Sequence, residues 1–139
     1  ADNLITICPR NDLQTMKDVI LPAYRKGRAE ATKKGPGGMA IELGFSFLSA
    51  EEIVRTQWRS LGIYHKDSWS IPNPLTVEEE GKKVTIDDVR KNTHLCKNWK
   101  DVVHLIEAYA EIGVDAFSLF TGADKKQIRQ IANNVLNVF

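Results

Sequence analysis

The sequence predicts an α/β chain of parallel strands and crossover helices, arranged as half of a (β/α)8 barrel. Three observations predict it. First, strand-like and helix-like segments alternate in the order β-α-β-α-β-α-β-α, with a long non-repetitive stretch before the third strand. Such alternation implies parallel strands joined by crossover helices. Second, four βα units in 139 residues is half of a fold that takes about 250 residues when closed. Third, the second strand alternates large apolar with small or polar residues, as expected of a strand with one face toward a barrel lumen. A four-stranded flavodoxin-like sheet is the rival, but no Gly-rich phosphate loop follows the first strand.

The elements follow in order. Asn3 to Cys8 is short, apolar and β-branched, and Pro9 and Asp12 stop it, which reads as a buried strand. From Leu13 the period changes: Leu13, Met16, Ile20 and Tyr24 recur at helical spacing. Asp12 is a fitting N-cap and Gly35 a fitting stop, and Pro22 predicts a kink. After the Gly35-Pro36-Gly37-Gly38 loop, Met39 to Leu48 alternates as a strand, with Glu42 and Ser46 on the small or polar face. Ser49 and Glu52 form a capping box that opens a helix to about Leu61.

Gly62 to Asn73 has no periodicity and reads as a loop. It carries His65, Lys66 and Trp69, and is a candidate functional insertion. Thr85 caps a short helix, Ile86 to Asn92, and a brief strand follows from Thr93 to Cys96. Asn98 caps the most regular helix, from Trp99 to Ile112, which ends at Gly113. Ala116 to Phe120 is the last strand and Lys126 to Val138 the last helix.

Composition bounds the function. Hydrophobic content of 42% and charged content of 27% are those of a soluble globular domain. The chain reads as one half-barrel domain over 1–139, with an insertion segment at 62–92. A net charge of +1 gives no whole-chain field for nucleic acid or membrane binding. The basic run from Arg25 to Lys34 is broken by Glu30 and reads as a solvated helix face. Cys8 and Cys96 share no metal-type spacing, so no metal site is expected. Free thiols suit a reducing cytoplasm. No apolar run has the length of a membrane span. The chain opens at Ala1 directly on strand-like sequence, as expected of a piece of something longer.

Specific segments then resemble a known family. "WKDVVHLIEAYAEIGVDAFSLFTGAD" resembles the helix and eighth strand that end luciferase-like barrels. "ILPAYRKGRAEATKKG" resembles the helix after the fifth strand there. "TQWRSLGIYHKDSWSIPNP" with "GKKVTIDDVRKNTHLC" is similar to the region between the sixth helix and seventh strand of dehydrogenases dependent on coenzyme F-420. The resemblance covers essentially the whole chain. It implies the C-terminal half of the barrel, strands five to eight, with the insertion between helix 6 and strand 7.

The resemblance implies further that a deazaflavin coenzyme lies at the C-terminal face of the strands and exchanges a hydride with a substrate above its ring. That place agrees with the rule for barrels generally. The family's acid–base side chains lie in the other half, so no catalytic residue is expected here, and whether this chain is itself an enzyme is left open. His65, His94 and His104 do not occupy the matching positions. Thr6, Cys8 and Pro9 are the expected coenzyme-lining residues, beside the plainer reading of Cys8 as a buried thiol. Arg10, Asn11, Glu42, Lys66, Trp69 and Asn92 are the expected substrate-side residues. Trp58 joins Trp69 as a wall of the cavity or as core.

Asn92 stands where the sugar-phosphate enzymes of the family carry an arginine, and it cannot replace that charge. A smaller alcohol, a hydroxy acid or an oxidised cofactor is therefore expected in place of a sugar phosphate, and the sequence does not choose among them. The alternatives are an FMN-dependent monooxygenase of the same superfamily and a non-catalytic half barrel that binds a ligand or partner. A half barrel leaves strand edges unpaired, so a missing N-terminal half or a second copy of this chain is the expected partner.

Overall fold

The computed structural model describes residues 3–7, 12–31, 35, 37–62, 73–120 and 125–138. It is a parallel α/β fold. Strand β1 (Leu4–Ile7) is followed by a helical run that begins as α1 (Leu13–Thr15), widens into a π-helical segment (Met16–Ile20) and continues as α2 (Leu21–Glu30). Asp12 caps it: its carboxylate accepts from the Thr15 backbone N–H at 2.9 Å. Pro22 explains the widening. A proline lacks an N–H and its ring clashes with the carbonyl four residues back. The chain meets that demand one residue earlier, where the Leu21 N–H bonds to the Met16 carbonyl, a five-residue step. The kink was expected at Pro22; this π segment ends at Ile20, just before that residue. The helix ends at Glu30, short of the expected stop at Gly35.

Strand β2 (Met39–Ser46) is the centre of the sheet. It pairs in parallel with β1, from Leu4 opposite Met39 to Ile7 opposite Glu42. It also pairs in parallel with β4 (Ala116–Phe120), from Ala40 opposite Ala116 to Gly44 opposite Phe120. β3 (His94–Leu95) is only two residues long and meets the C-terminal end of β2, His94 opposite Phe45 and Leu95 opposite Ser46.

This topology agrees with the expected one in part. Four consecutive βα units would place the third strand between the second and the fourth, but here β4 lies directly against β2. β1, β2 and β4 stand side by side, β3 joins only the end of β2, and 47–92 is an excursion from the end of β2. Strand length explains the difference: Asn98 opens the next helix almost at once, leaving β3 too short to span the sheet.

The excursion has its own core. α3 (Ala50–Leu61), with the expected capping box of Ser49 and Glu52, contributes Ala50, Ile53 and Leu61. Val84 and Val89 complete the cluster, Val89 from α5 (Ile86–Asn92), which the expected Thr85 cap opens. Between them lies α4 (Pro74–Gly81), a helix the sequence reading did not anticipate. Its start is an Asn73 cap followed by Pro74 in the first turn, where a missing N–H costs nothing. α3 and α4 cross where Gly62 and Gly81 lie. A Cβ on Gly62 would sit 2.0 Å from the Val77 carbonyl oxygen, and one on Gly81 1.9 Å from the Trp58 carbonyl oxygen.

The main core lies on the helix-covered face of the sheet. Met39, Ile41 and Leu43 of β2 pack with Val102, Val103, Ile106 and Tyr109 of α6 (Trp99–Glu111), and with Met16, Leu21 and Val135. α6 starts at the Asn98 cap and ends at Gly113, whose φ of 104° an L side chain rarely adopts. It is the crossover that returns the chain to β4. α7 (Lys125–Ile131) and a π-helical segment (Ala132–Leu136) close the chain. Asp115 ties the start of β4 to that of β2: its N–H donates to the Met39 carbonyl, and its carboxylate accepts from the Met39 N–H, both at 2.8 Å.

Candidate functional site

Because the strands are parallel, their C-terminal ends lie at one rim of the sheet, the place where barrels and open parallel sheets bind ligands. Alternation along β2 divides its side chains between two faces. Met39, Ile41 and Leu43 are buried under helices. Ala40, Glu42, Gly44 and Ser46 point the other way, and register carries their face across the sheet. Ile5 and Ala116 share a rung with Ala40; Ser118 shares one with Glu42. Ile5 is 80% exposed, and Gly44, Ala116 and Ser118 are exposed too. Among the described residues this face is uncovered.

Glu42 thus lies on the uncovered face, half-buried and next to Ser118, on the face where lumen residues were expected. Thr6 does not join it. It is in register with Ile41, on the helix-covered face, so Thr6 and Glu42 are not brought to one side of the sheet. Asn92 is the last residue of α5, and its side-chain amide donates to the Asp88 carbonyl at 2.7 Å, which closes its own helix. Cys8, Pro9, Arg10, Asn11, Lys66 and Trp69 lie outside the described residues, as does His65. Trp58 is half-buried on α3, with the Arg59 guanidinium and Lys82 ammonium 5.3 Å and 5.8 Å from its ring centroid.

The rim is partly aromatic. Phe45, Phe47 and Trp99 pack edge to face, with ring centroids 4.8 Å to 6.1 Å apart. β2 ends at Ser46, whose hydroxyl accepts from the Leu48 N–H at 3.1 Å, so Phe47 leaves the strand and turns to Trp99. In the sequence Phe47 reads as one more residue of an alternating strand; the strand's early end gives it another role. Gly44, which the sequence did not single out, is exposed on the uncovered face, and among the described residues nothing lies within 4 Å of where its Cβ would stand.

Of the described histidines, neither His94 nor His104 lies on the uncovered sheet face. His94 is on the covered face, 8% exposed, with its Nε2 3.4 Å from the Tyr109 hydroxyl. Burial lowers its pKa to about 4 and keeps it neutral. His104 is exposed on α6. Cys96 is a buried free thiol whose pKa is pushed up to about 11, first by burial and then by the Asp101 charge. Asp12 and Glu52 have lowered pKa values because each carboxylate accepts hydrogen bonds at a helix start, Asp12 from Thr15 and Glu52 from Ser49. Among the described residues no group of three His, Cys, Asp or Glu side chains could hold a metal ion. No helix among them is long and apolar enough to cross a membrane.

No family model matches the sequence, and no curated protein matches it. A solved structure does resemble the fold: an F420-dependent secondary alcohol dehydrogenase in complex with an F420-acetone adduct, at 20% sequence identity and a TM-score of 0.78. The likeness covers 100% of this chain and 43% of the dehydrogenase chain. The chain is similar in fold to that portion of the dehydrogenase, a parallel α/β arrangement.

Proposed function

We propose that the chain is part of a deazaflavin-dependent oxidoreductase, which moves a hydride between a small alcohol or hydroxy substrate and coenzyme F-420. The carrying observation is the whole-chain likeness to an F420-dependent alcohol dehydrogenase at a TM-score of 0.78. The local geometry suits the coenzyme. Gly44, Ala116 and Ser118 leave the uncovered face low near the strand ends, with open space over Gly44, and a planar ring needs such a surface. When bound, the deazaflavin supplies the hydride chemistry, while the protein supplies binding and orientation.

On this reading Glu42 accepts a hydrogen bond from the substrate hydroxyl, and Ser118 beside it donates or accepts as the substrate requires. Arg10, Asn11, Lys66 and Trp69 form the substrate side, and Cys8 and Pro9 the coenzyme side; Thr6 supports β1 from its covered face. The neutral, buried His94 holds the rim without exchanging protons. The general acid and base come from outside this chain. No observation favours the FMN-dependent alternative.

The test is fluorescence titration of the protein, in its complete assembly, with deazaflavin and with FMN. Saturable binding of deazaflavin is expected. Gly44→Val is expected to weaken it at least tenfold with an unchanged urea midpoint, because the added atoms meet ligand and no protein. Glu42→Gln is expected to raise KM for the alcohol with little change in coenzyme affinity. A preference for FMN, or full affinity in Gly44→Val, would overturn the proposal.

A further inference from the structure

We infer that Leu95 sets the size limit of the substrate. It stands as an apolar wall at the strand ends of the uncovered face and meets the carbon substituent of the alcohol, not its reacting carbon. The inference rests on the functional reading, to which it adds a residue that the sequence did not single out.

Register places the side chain. Leu95 is opposite Ser46, and His94 is opposite Phe45. Side chains alternate along each strand, so Leu95 shares the uncovered face with Ser46, Gly44 and Glu42, while His94 turns to the covered one. Burial agrees: Leu95 is 37% exposed, and its neighbours His94 and Cys96 are 8% and 6% exposed. β3 is two residues long, so Leu95 is its one side chain on that face.

The neighbours leave this role to Leu95. Ser46 spends its hydroxyl on the Leu48 N–H at 3.1 Å. Phe47 leaves the strand and packs on Trp99, with ring centroids 4.8 Å apart. Among the described residues nothing lies within 4 Å of a Cβ on Gly44. Distance then separates selection from chemistry. Two residues of strand span about 7 Å and four span about 13 Å. Leu95, level with Ser46, therefore borders the open floor at Gly44 but stands about 13 Å along the strands from the Glu42 rung. A hydroxyl bonded to Glu42 lies about 2.7 Å from its carboxylate. Leu95 is thus far from the reacting carbon and in the path of a substituent that extends toward the strand ends. Contact with an apolar side chain stabilises an alkyl group, whereas burying a charge against it costs free energy. Leu95 accordingly favours an alkyl substituent, and its bulk fixes how long that substituent can be.

The experiment compares kcat/KM for a four-carbon and an eight-carbon secondary alcohol, with the protein in its complete assembly and loaded with deazaflavin. Leu95→Ala is expected to raise the preference for the longer alcohol by about tenfold or more, and Leu95→Trp to lower it by about as much. Deazaflavin affinity, read by fluorescence titration, is expected to stay that of the wild type in both. Leu75→Ala, at an apolar site on α4 that is 66% exposed, is expected to leave the preference unchanged. A second readout needs no turnover. In a Cys8→Ser background, Leu95→Cys is expected to react readily with a maleimide while buried Cys96 does not, and saturating alcohol is expected to slow that reaction. A preference that neither variant moves, or labelling that alcohol does not slow, would overturn the inference. So would a loss of deazaflavin affinity as large as the change in kcat/KM, since Leu95 would then support the coenzyme and select nothing. A wild-type protein that binds no deazaflavin, or binds it and oxidises neither alcohol, would instead overturn the functional reading and the inference with it.

Discussion

The Tyr109 hydroxyl lies 3.4 Å from His94 Nε2, inside the core, with the two rings edge to face at 5.8 Å. The contact joins β3, two residues long, to the crossover helix α6. Burial holds the His94 pKa at about 4, below its ordinary 6.5. In the unfolded chain the histidine takes up its proton as pH falls through about 6.5; in the fold it stays neutral until about pH 4. This stabilisation is therefore full above pH 6.5 and is lost as pH falls toward 4. A loss of roughly 2 kcal/mol across that window is expected from urea unfolding at stepped pH. His94→Gln is expected to flatten the profile.

The glycine crossing of α3 and α4 has no slack, since an added Cβ at Gly81 would meet the Trp58 carbonyl oxygen at 1.9 Å. Gly81→Ala is expected to cost about 1–3 kcal/mol through overpacking. Because Ala50, Ile53 and Val89 form a cluster apart from the sheet core, the loss is expected to be local. Hydrogen exchange should accelerate in 50–92 while β2 keeps its protection; equal acceleration in β2 would contradict the separation of the two cores.

Asp115 bridges the starts of β4 and β2 through the Met39 backbone. Asp115→Ala removes the acceptor of the Met39 N–H and is expected to cost about 1–3 kcal/mol. Asp115→Asn keeps an acceptor oxygen and is expected to cost less. The two urea midpoints check the order.

Cys96 is buried and its thiol pKa stands at about 11. The thiolate is the nucleophile, so in a Cys8→Ser background iodoacetamide at pH 8 is expected to leave the folded chain unmodified and to alkylate it in urea. Mass spectrometry reads the outcome.

Local rules carried much of the fold. The caps at Asp12, Ser49, Thr85 and Asn98 are each a short polar side chain ahead of a helical pattern, and each caps its helix in the structure. The alternation of Met39, Ile41 and Leu43 with Ala40, Glu42 and Gly44 also translates directly into two faces. α4 was missed because its Pro74 reads equally as a loop and as a first helical turn. The candidate site was less legible. Glu42 falls on the uncovered face, Thr6 is in register with the covered face, and Asn92 bonds back within its own helix.

By itself, then, the sequence determined most of the strands and helices, α4 excepted, and which face of β2 is apolar, since caps and periodicity act between residues close along the chain. Tertiary structure alone decided that β4 pairs with β2 and that α3 leaves the sheet for a core of its own. It also decided that Gly44 opens on free space. Each depends on which distant segment fills a given volume: Ala116 finds Ala40, and Ile53 shares a core with Val89, because burial rewards the partner that fits and is indifferent to its distance along the chain.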